Sequence, residues 1–349
     1  MGGTVGLKAV ILAGGFSTRL RPVTNYIPKP LVPVVNKPII EHVVERLKET
    51  NIREIIFTLY YRAQEIIDYF GDGSRHGINP EYRVEEKPLG TAGSVKNVEE
   101  LLDDVFLVVS GDVLFDFDLN SALKNHVGND NAATVILNQV ENVQHFGVAE
   151  LDHDNRIVGF VEKPNPARVK SRLVNTGIYI LNKSVLNLVE RNTKTDFSLD
   201  VFPKLVEKGQ LYGFVPNGFW YDVGTFQGLI KAQREVLSGR TRIKIPGKRL
   251  EEGVYIQGEV EIEDLERLSG PTLIGEGSKL RAGVVAKYSS IGRRAKLEER
   301  SSLVESVLMD DCLVGVESVL AGVVLGRRCV VSPHKSLLGP VGFGDDSHI

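Results

Sequence analysis

Two stretches near the start of the chain collect residue types suited to polyanions: Leu12-Ala13-Gly14-Gly15-Phe16-Ser17-Thr18-Arg19-Leu20-Arg21-Pro22, then Pro28-Lys29-Pro30-Leu31-Val32-Pro33. An apolar run that ends in Gly14-Gly15 lets backbone N–H groups approach an anion closely, because no Cβ blocks the way. The planar fork of Arg19 can grip phosphate oxygens, and Lys29 supplies a point charge in a loop stiffened by Pro28 and Pro30. Such a loop suits a triphosphate. Taken alone, Gly-Gly after a strand is in most proteins only a turn.

The elements that must hold these residues are written in the periodicity. From Lys8 to about Leu237, β-branched apolar runs alternate with longer amphipathic segments, the pattern of an α/β sheet. Ala9–Ala13, Ile55–Leu59, Phe106–Val109, Ala133–Leu137 and Ile178–Leu181 read as buried strands; Ile39–Glu49, Ala63–Phe70, Gly93–Leu102 and Phe226–Leu237 read as helices. Ser238–Arg249, with Gly239, Pro246 and Gly247, breaks both periods and suits a linker. Beyond it, apolar residues recur six apart at Ile274, Leu280 and Ala286, then after a slip of one at Ile291, Leu297, Leu303 and Met309. That period belongs to a parallel β-helix; a few irregular strands packed on the first domain are the alternative. The expected division is residues 1–237, a linker over 238–250, and a repeat domain over 251–349.

The combination GGxxTRLRPxT and PKPLVPxxNKP resembles the sugar-phosphate nucleotidyltransferases, the family of mannose-1-phosphate guanylyltransferase and glucose-1-phosphate thymidylyltransferase. Further motifs keep that family's order between about Lys8 and Arg234. Pro88-Leu89-Gly90-Thr91-Ala92-Gly93 resembles the loop that holds base and ribose, and Gly111-Asp112-Val113-Leu114 the first metal site. Phe146-Gly147-Val148, Val161-Glu162-Lys163-Pro164 and Asn175-Thr176-Gly177-Ile178-Tyr179 resemble the sugar-phosphate pocket. Gly218-Phe219-Trp220-Tyr221-Asp222-Val223-Gly224-Thr225 resembles the second metal site. Many guanylyltransferase-like members carry a left-handed β-helix after the catalytic domain, and Phe202-Pro203-Lys204-Leu205 with Gly209-Gln210-Leu211-Tyr212 leans towards that branch.

The resemblance implies a Rossmann-like α/β domain with a mostly parallel mixed sheet, followed by a left-handed parallel β-helix of hexapeptide repeats. It implies Ala13, Gly14, Gly15, Ser17, Thr18, Glu85, Gly90 and Thr91 at the nucleotide, and Gly147, Glu162, Lys163 and Asn175 at the sugar phosphate. Arg19, Lys29, Asp112 and Asp222 are the expected catalytic residues, the two aspartates holding Mg²⁺. Magnesium takes oxygen ligands and typically one or two carboxylates beside substrate phosphates, which suits two loop aspartates on the condition that the fold brings them together. Either aspartate alone is equally a turn or cap residue; Asp116 and Asp118 read as surface or turn residues. Lys163 can neutralise a sugar phosphate and Glu162 can accept from sugar hydroxyls, although a lone Glu-Lys pair is usually solvated surface. Glu85 lies five positions before Gly90, where the resemblance places a side chain facing the base. A carboxylate there accepts the two adjacent donors of guanine, N1–H and N2–H₂, while the alternative is a charged loop shared with Glu86 and Lys87.

One departure stands out: Ser17 occupies a position that is glycine in the family, and it crowds the loop if that position needs positive φ. A catalytically silent, nucleotide-sugar-binding regulatory subunit is therefore a second reading. An acyltransferase, the other activity carried on hexapeptide repeats, is disfavoured because no histidine lies between Ile274 and Leu325. The remaining composition is bland. A net charge of -3 gives no reason to expect nucleic acid or an anionic membrane as partner. Cys312 and Cys329 cannot build a disulfide framework, the start MGGTVGLKAVILAGG lacks leader-type flanks, and Leu313–Leu325 is too short to span a bilayer. A cytoplasmic enzyme is expected, self-associating through its repeat domain.

Overall fold

The computed structural model describes residues 7–250, 253–268 and 270–349. Residues 1–6, part of the start read above, and residue 251, where the repeat domain is expected to begin, lie outside the described residues. Two compact units interleave along the chain: residues up to Gly15 with Val43–Trp220, and Phe16–His42 with Tyr221–Ile349.

The first unit is built on nine strands: β1 (Ala9–Leu12), β2 (Glu54–Leu59), β3 (Asn79–Val84), β4 (Val105–Ser110), β5 (Ala133–Gln139), β6 (Gly147–Leu151), β7 (Ile157–Glu162), β8 (Leu173–Asn182) and β9 (Leu211–Phe214). Their order is β7-β6-β8-β4-β1-β2-β3, with β5 also beside β8 and β9 beside β5. β1 runs parallel to β2 and β4, whereas β8 is antiparallel to β4, β5 and β6, so the sheet is mixed. Ala9–Ile11 and Phe106–Val109 are fully buried, which is why β1 and β4 read as unbroken apolar runs and not as alternating ones. Burying each larger side chain among them stabilises the fold by about 1.5–3 kcal/mol.

The α-helices among the described residues are α1 (Ile39–Glu49), α2 (Ala63–Phe70), α3 (Gly90–Lys96), α4 (Leu119–Gly128), α5 (Phe202–Glu207) and α6 (Phe226–Leu237). α3 begins earlier and ends sooner than the periodicity indicates, with Glu99–Leu101 forming a separate turn. Its start is fixed from outside the helix: the Thr195 carbonyl accepts from the N–H groups of Ala92 and Gly93. Asp118 caps α4 and is exposed as expected. Asp116 is a correction. It is only 4% exposed, and its carboxylate accepts from Phe219 N–H at 2.6 Å, so it is a buried strut and no surface residue.

In the second unit short parallel strands stack in three ladders. Ile256, Ile274, Ile291, Leu308 and Leu325 form one inward column; Ile262, Leu280, Leu297, Val314 and Val331 form the second; Ala286, Leu303, Leu320 and Leu337 form the third. From Ile274 onward neighbouring rungs are mostly 17 residues apart, so each circuit takes steps of six, six and five. The slip seen in the sequence is that short step. It recurs at every circuit, which puts Leu308 and not Met309 in the inward column. The tight corner it creates holds Tyr288, Glu305 and Gly322 at φ 50, 47 and 68.

Two features close this unit. α6 lies along the first ladder, where buried Gln233 accepts from Ser290 Oγ at 2.8 Å and donates to the Ser306 carbonyl at 3.2 Å. At one corner, arginine and aspartate doublets alternate, with Arg294 bidentate to Asp311 and Arg328 to Asp346. Cys312 and Cys329 are free and buried in the same stack, and the hydrogen bond with Cys329, then burial, push the Cys312 thiol up. Among the described residues no helix is long and apolar enough to cross a membrane.

Candidate functional site

Within the second unit the fold assembles three of the four expected catalytic residues. Lys29 opens a short 3₁₀ turn after Pro28, and its Nζ stands 3.2 Å from Asp222 Oδ1. Arg19 comes from the turn Thr18–Leu20 and places Nη2 3.7 Å from Asp222 Oδ2. A Cβ on Gly224 would come within 2.7 Å of Arg19 Nη2 and 2.8 Å of Asp222 Oδ2. A side chain there would push both groups aside, so the glycine leaves this turn open as a cradle for the carboxylate and guanidinium. Thr225 then caps α6 by accepting from Gly228 N–H, fixing the turn that carries Asp222. Ser17 adopts φ 52 and ψ 48, the left-handed region in which a glycine costs nothing and an L-residue is strained.

The first unit carries most of the remaining expected residues near the ends of its strands; Thr18 lies in the second unit, and Gly90 and Thr91 open α3. β1 ends in Ala13, Gly14 and Gly15; Ala13 N–H donates to the Thr58 carbonyl, and a Cβ on Gly14 would press on Tyr60 at 3.3 Å. Next to this turn Gly111 N–H donates to the Leu12 carbonyl, and Asp112 follows, its Oδ1 accepting from Ser110 Oγ at 2.5 Å. Loops beyond the carboxyl ends of parallel strands are where α/β sheets bind ligands.

Glu85 follows β3 and faces a cavity of about 490 Å³ lined also by Thr58, Lys87, Ser94 and Asn97. Its Oε2 accepts from Leu89 N–H at 3.2 Å, while Oε1 is buried without a hydrogen-bond partner. Burial raises its pKa, and the nearby Ser94 hydroxyl and Leu89 amide offset part of that rise.

The expected sugar-phosphate residues cluster on β6, β7 and β8. Gly147 pairs across strands with Glu162, and a Cβ there would come within 2.7 Å of Glu162 Oε2, so the glycine makes room for the carboxylate. Burial raises the Glu162 pKa; Lys163 lowers it and Asp196 raises it further. Lys163 sits at φ 46, a strained left-handed position, with its side chain mostly in solvent. Asn175 stands at an irregularity of β8, its amide donating to Tyr179 OH at 3.0 Å and Ser198 Oγ at 3.1 Å while its Oδ1 accepts from Gly177 N–H. Most of its hydrogen-bonding capacity is therefore spent on the protein. Burial drives the Tyr179 hydroxyl pKa up.

Ser110, Thr195, Asp196 and Ser198 are absent from the sequence reading. A signal for two of them existed: Asp196-Phe197-Ser198 before an apolar run is a helix-start pattern, and Asp196 indeed caps the turn Phe197–Val201.

A family model described as Nucleotidyl transferase matches residues 8–239. The chain is 34% identical over 335 residues to a UTP–glucose-1-phosphate uridylyltransferase of Synechocystis sp., covering 84% of this chain and 86% of the relative. It is 32% identical over 355 residues to a protein of Oryza sativa subsp. japonica named probable mannose-1-phosphate guanylyltransferase 1, covering 95% and 97%. Among solved structures it resembles HddC of Yersinia pseudotuberculosis, complexed with GMP-PN, at TM-score 0.58 and 30% identity, covering 66% of this chain and 99% of that one.

Proposed function

The chain belongs to the nucleotidyl transferase family and is a sugar-1-phosphate nucleotidyltransferase, and from that premise we propose that it joins GTP to mannose 1-phosphate with Mg²⁺, releasing pyrophosphate. The observation that carries the reading is the grouping of Arg19 and Lys29 on Asp222. Asp112 and Asp222 are the proposed Mg²⁺ ligands; carboxylate oxygens suit that ion, and the Gly224 cradle leaves space at Asp222 that a side chain would fill. Bound Mg²⁺ supplies positive charge to the triphosphate oxygens.

The residues of the chain do the rest. Arg19 and Lys29 neutralise phosphate charge, Gly14 and Gly15 present backbone N–H groups, and Glu162 and Lys163 hold the sugar hydroxyls and its phosphate. A phosphate monoester loses its second proton near about pH 6, so the attacking oxygen is already anionic near neutrality and no general base is needed. Catalysis is then positioning and charge neutralisation.

Guanine is preferred on the carboxylate of Glu85, which lines the cavity after β3 and is of a type that accepts base N–H donors. A guanine nucleotide in a related structure and a guanylyltransferase name on a near full-length relative support it; the uridylyltransferase relative supports a uridine alternative with glucose 1-phosphate, and dTTP is the third candidate. A panel of nucleoside triphosphates against mannose, glucose and N-acetylglucosamine 1-phosphates tests it. GTP with mannose 1-phosphate should lead, and Glu85→Gln should narrow the advantage over UTP by about ten- to a hundredfold. Equal use of GTP and UTP overturns the guanine reading.

Strain at Ser17 favours one second reading, a catalytically silent regulatory subunit. Pyrophosphate release in Mg²⁺ and GTP decides between the two. The three parallel ladders support a left-handed β-helix after a catalytic domain over 1–237 and a linker over 238–250. We assign homo-oligomer formation to that β-helix and a cytoplasmic site of action to the enzyme. Light scattering that reports a single chain at micromolar concentration removes the oligomer.

A further inference from the structure

One segment of the first unit, Thr193–Ser198, touches both the loop assigned to the nucleotide and the pocket assigned to the sugar. On the nucleotide side, Thr195 N–H donates to the Leu89 carbonyl at 2.9 Å, and the Thr195 carbonyl receives Ala92 N–H at 2.9 Å and Gly93 N–H at 3.1 Å. A Cβ on Gly90 would stand 2.6 Å from the Thr195 carbonyl oxygen, and one on Gly93 2.4 Å from that of Thr193. These two glycines are therefore required by the passing backbone, apart from any contact with a base.

Side chains extend the link. Thr91 Oγ1 donates to Asp196 Oδ2 at 2.9 Å and accepts from Phe197 N–H at 2.8 Å. The other oxygen of Asp196 accepts from Ser198 and Leu199 N–H, starting the π-helical turn Phe197–Val201. Such turns are rare and occur often at functional sites. On the sugar side, Ser198 Oγ accepts from Asn175, whose amide also reaches Tyr179 OH. One carboxylate oxygen of Asp196 thus accepts from Thr91 of the nucleotide loop, and the other holds the backbone of the turn whose Ser198 side chain reaches Asn175.

We propose that Asp196 is a positioning residue that holds the nucleotide loop and the sugar pocket on one strut, so that each ligand raises the affinity for the other. The inference rests on the function proposed above. Ordering Thr91 around a bound nucleotide fixes Asp196 and, through Ser198, the amide of Asn175; the ligand that binds second meets a pocket already ordered, and linkage makes the effect reciprocal. Asp196 touches neither reacting atom, and its effect is on binding cooperativity.

Calorimetry on the full chain tests this, with mannose 1-phosphate titrated in the presence and absence of α,β-methylene-GTP and Mg²⁺, or with the pair that the substrate panel selects. Wild type should bind the sugar phosphate about tenfold more tightly when the nucleotide analogue is present, and Asp196→Asn should abolish most of that gain. Asparagine still accepts from Ser198 and Leu199 N–H, so the cap persists. Thr91→Val, which removes only the hydroxyl, gives a second route, and the double variant should lose no more cooperativity than the worse single one. A purely structural role would lower the melting temperature and leave the cooperativity factor in place. Wild type that binds both ligands independently, or variants that keep the tenfold gain, overturn the inference alone. A wild-type chain that binds neither ligand of any pair overturns the proposed function and this inference with it.

Discussion

Lys29 Nζ stands 3.2 Å from Asp222 Oδ1, and its side chain is only 5% exposed against 21% for its partner. The two residues lie far apart in sequence, joined because the loop after Pro28 and the turn before Gly224 belong to one compact unit. A dry ammonium beside a carboxylate is a point charge held in place, which is what a site that neutralises phosphate requires.

Replacing Lys29 by methionine should therefore reduce kcat/KM about a hundredfold, the usual cost of one preorganised charge contact. Arginine should not restore it, because its wide planar fork cannot occupy a space that admits one ammonium. Steady-state pyrophosphate release measures both. Activity within threefold of wild type in the methionine variant would take Lys29 out of the chemistry.

Ser17 offers a gain where most substitutions lose. Its φ of 52 and ψ of 48 are held by Thr24, whose hydroxyl donates to the Ser17 carbonyl at 2.8 Å. An L-residue in that region costs roughly 1 kcal/mol more than glycine. Ser17→Gly should raise the unfolding free energy by up to about 1 kcal/mol, and Ser17→Ala should not. Chemical denaturation compares the three, and glycine and alanine variants of equal stability would show that the loop carries no strain.

The limits of the sequence have a common physical cause. α1, α2 and α6 are legible to the residue because each is an amphipathic helix whose apolar stripe repeats locally. Asp112, Asp222, Glu162 and Lys163 stand out in the sequence as candidates because their motifs are contiguous. Asp116 is not, because nothing beside it in sequence announces that Phe219 will donate to it. Thr195 and Asp196 escape for the same reason: their partners, Leu89 to Gly93, lie on a distant stretch of chain. The position of Leu308 escapes differently, since a period of six with one slip is what a circuit of six, six and five looks like over too few circuits.

That register makes a direct claim about the core. Leu308 is 1% exposed and belongs to the inward column with Ile274, Ile291 and Leu325. Leu308→Ala should cost about 2–5 kcal/mol, the range for a buried leucine whose cavity cannot collapse. The ladder backbone, bonded above and below, resists such collapse. Denaturant unfolding reads the cost, and a loss below 1 kcal/mol would argue that residue 308 does not face inward.

The last expectation concerns pH and a histidine far from every motif. His126 is 1% exposed, with Nδ1 2.9 Å from Thr134 Oγ1 and Nε2 3.0 Å from Asn182 Oδ1. Asn131 donates to the same Thr134 oxygen, so the Thr134 hydroxyl is free to donate to Nδ1, leaving Nε2–H to serve Asn182. That chain needs a neutral imidazole. Burial accordingly lowers its pKa below the ordinary 6.5, although Asn182 and the charge of Asp130 oppose the shift. The unfolded chain then binds a proton at a pH where the folded chain does not, so stability rises with pH in that interval. The contribution is fully present above pH 6.5, declines as pH falls below it, and levels off once the folded histidine is itself protonated. His126→Gln should be less stable than wild type at pH 8, and should lack the part of the wild-type decline below pH 6.5 that this ring causes. Denaturation at several pH values separates the two chains. Parallel stability profiles would show that His126 is not the group whose protonation opposes folding.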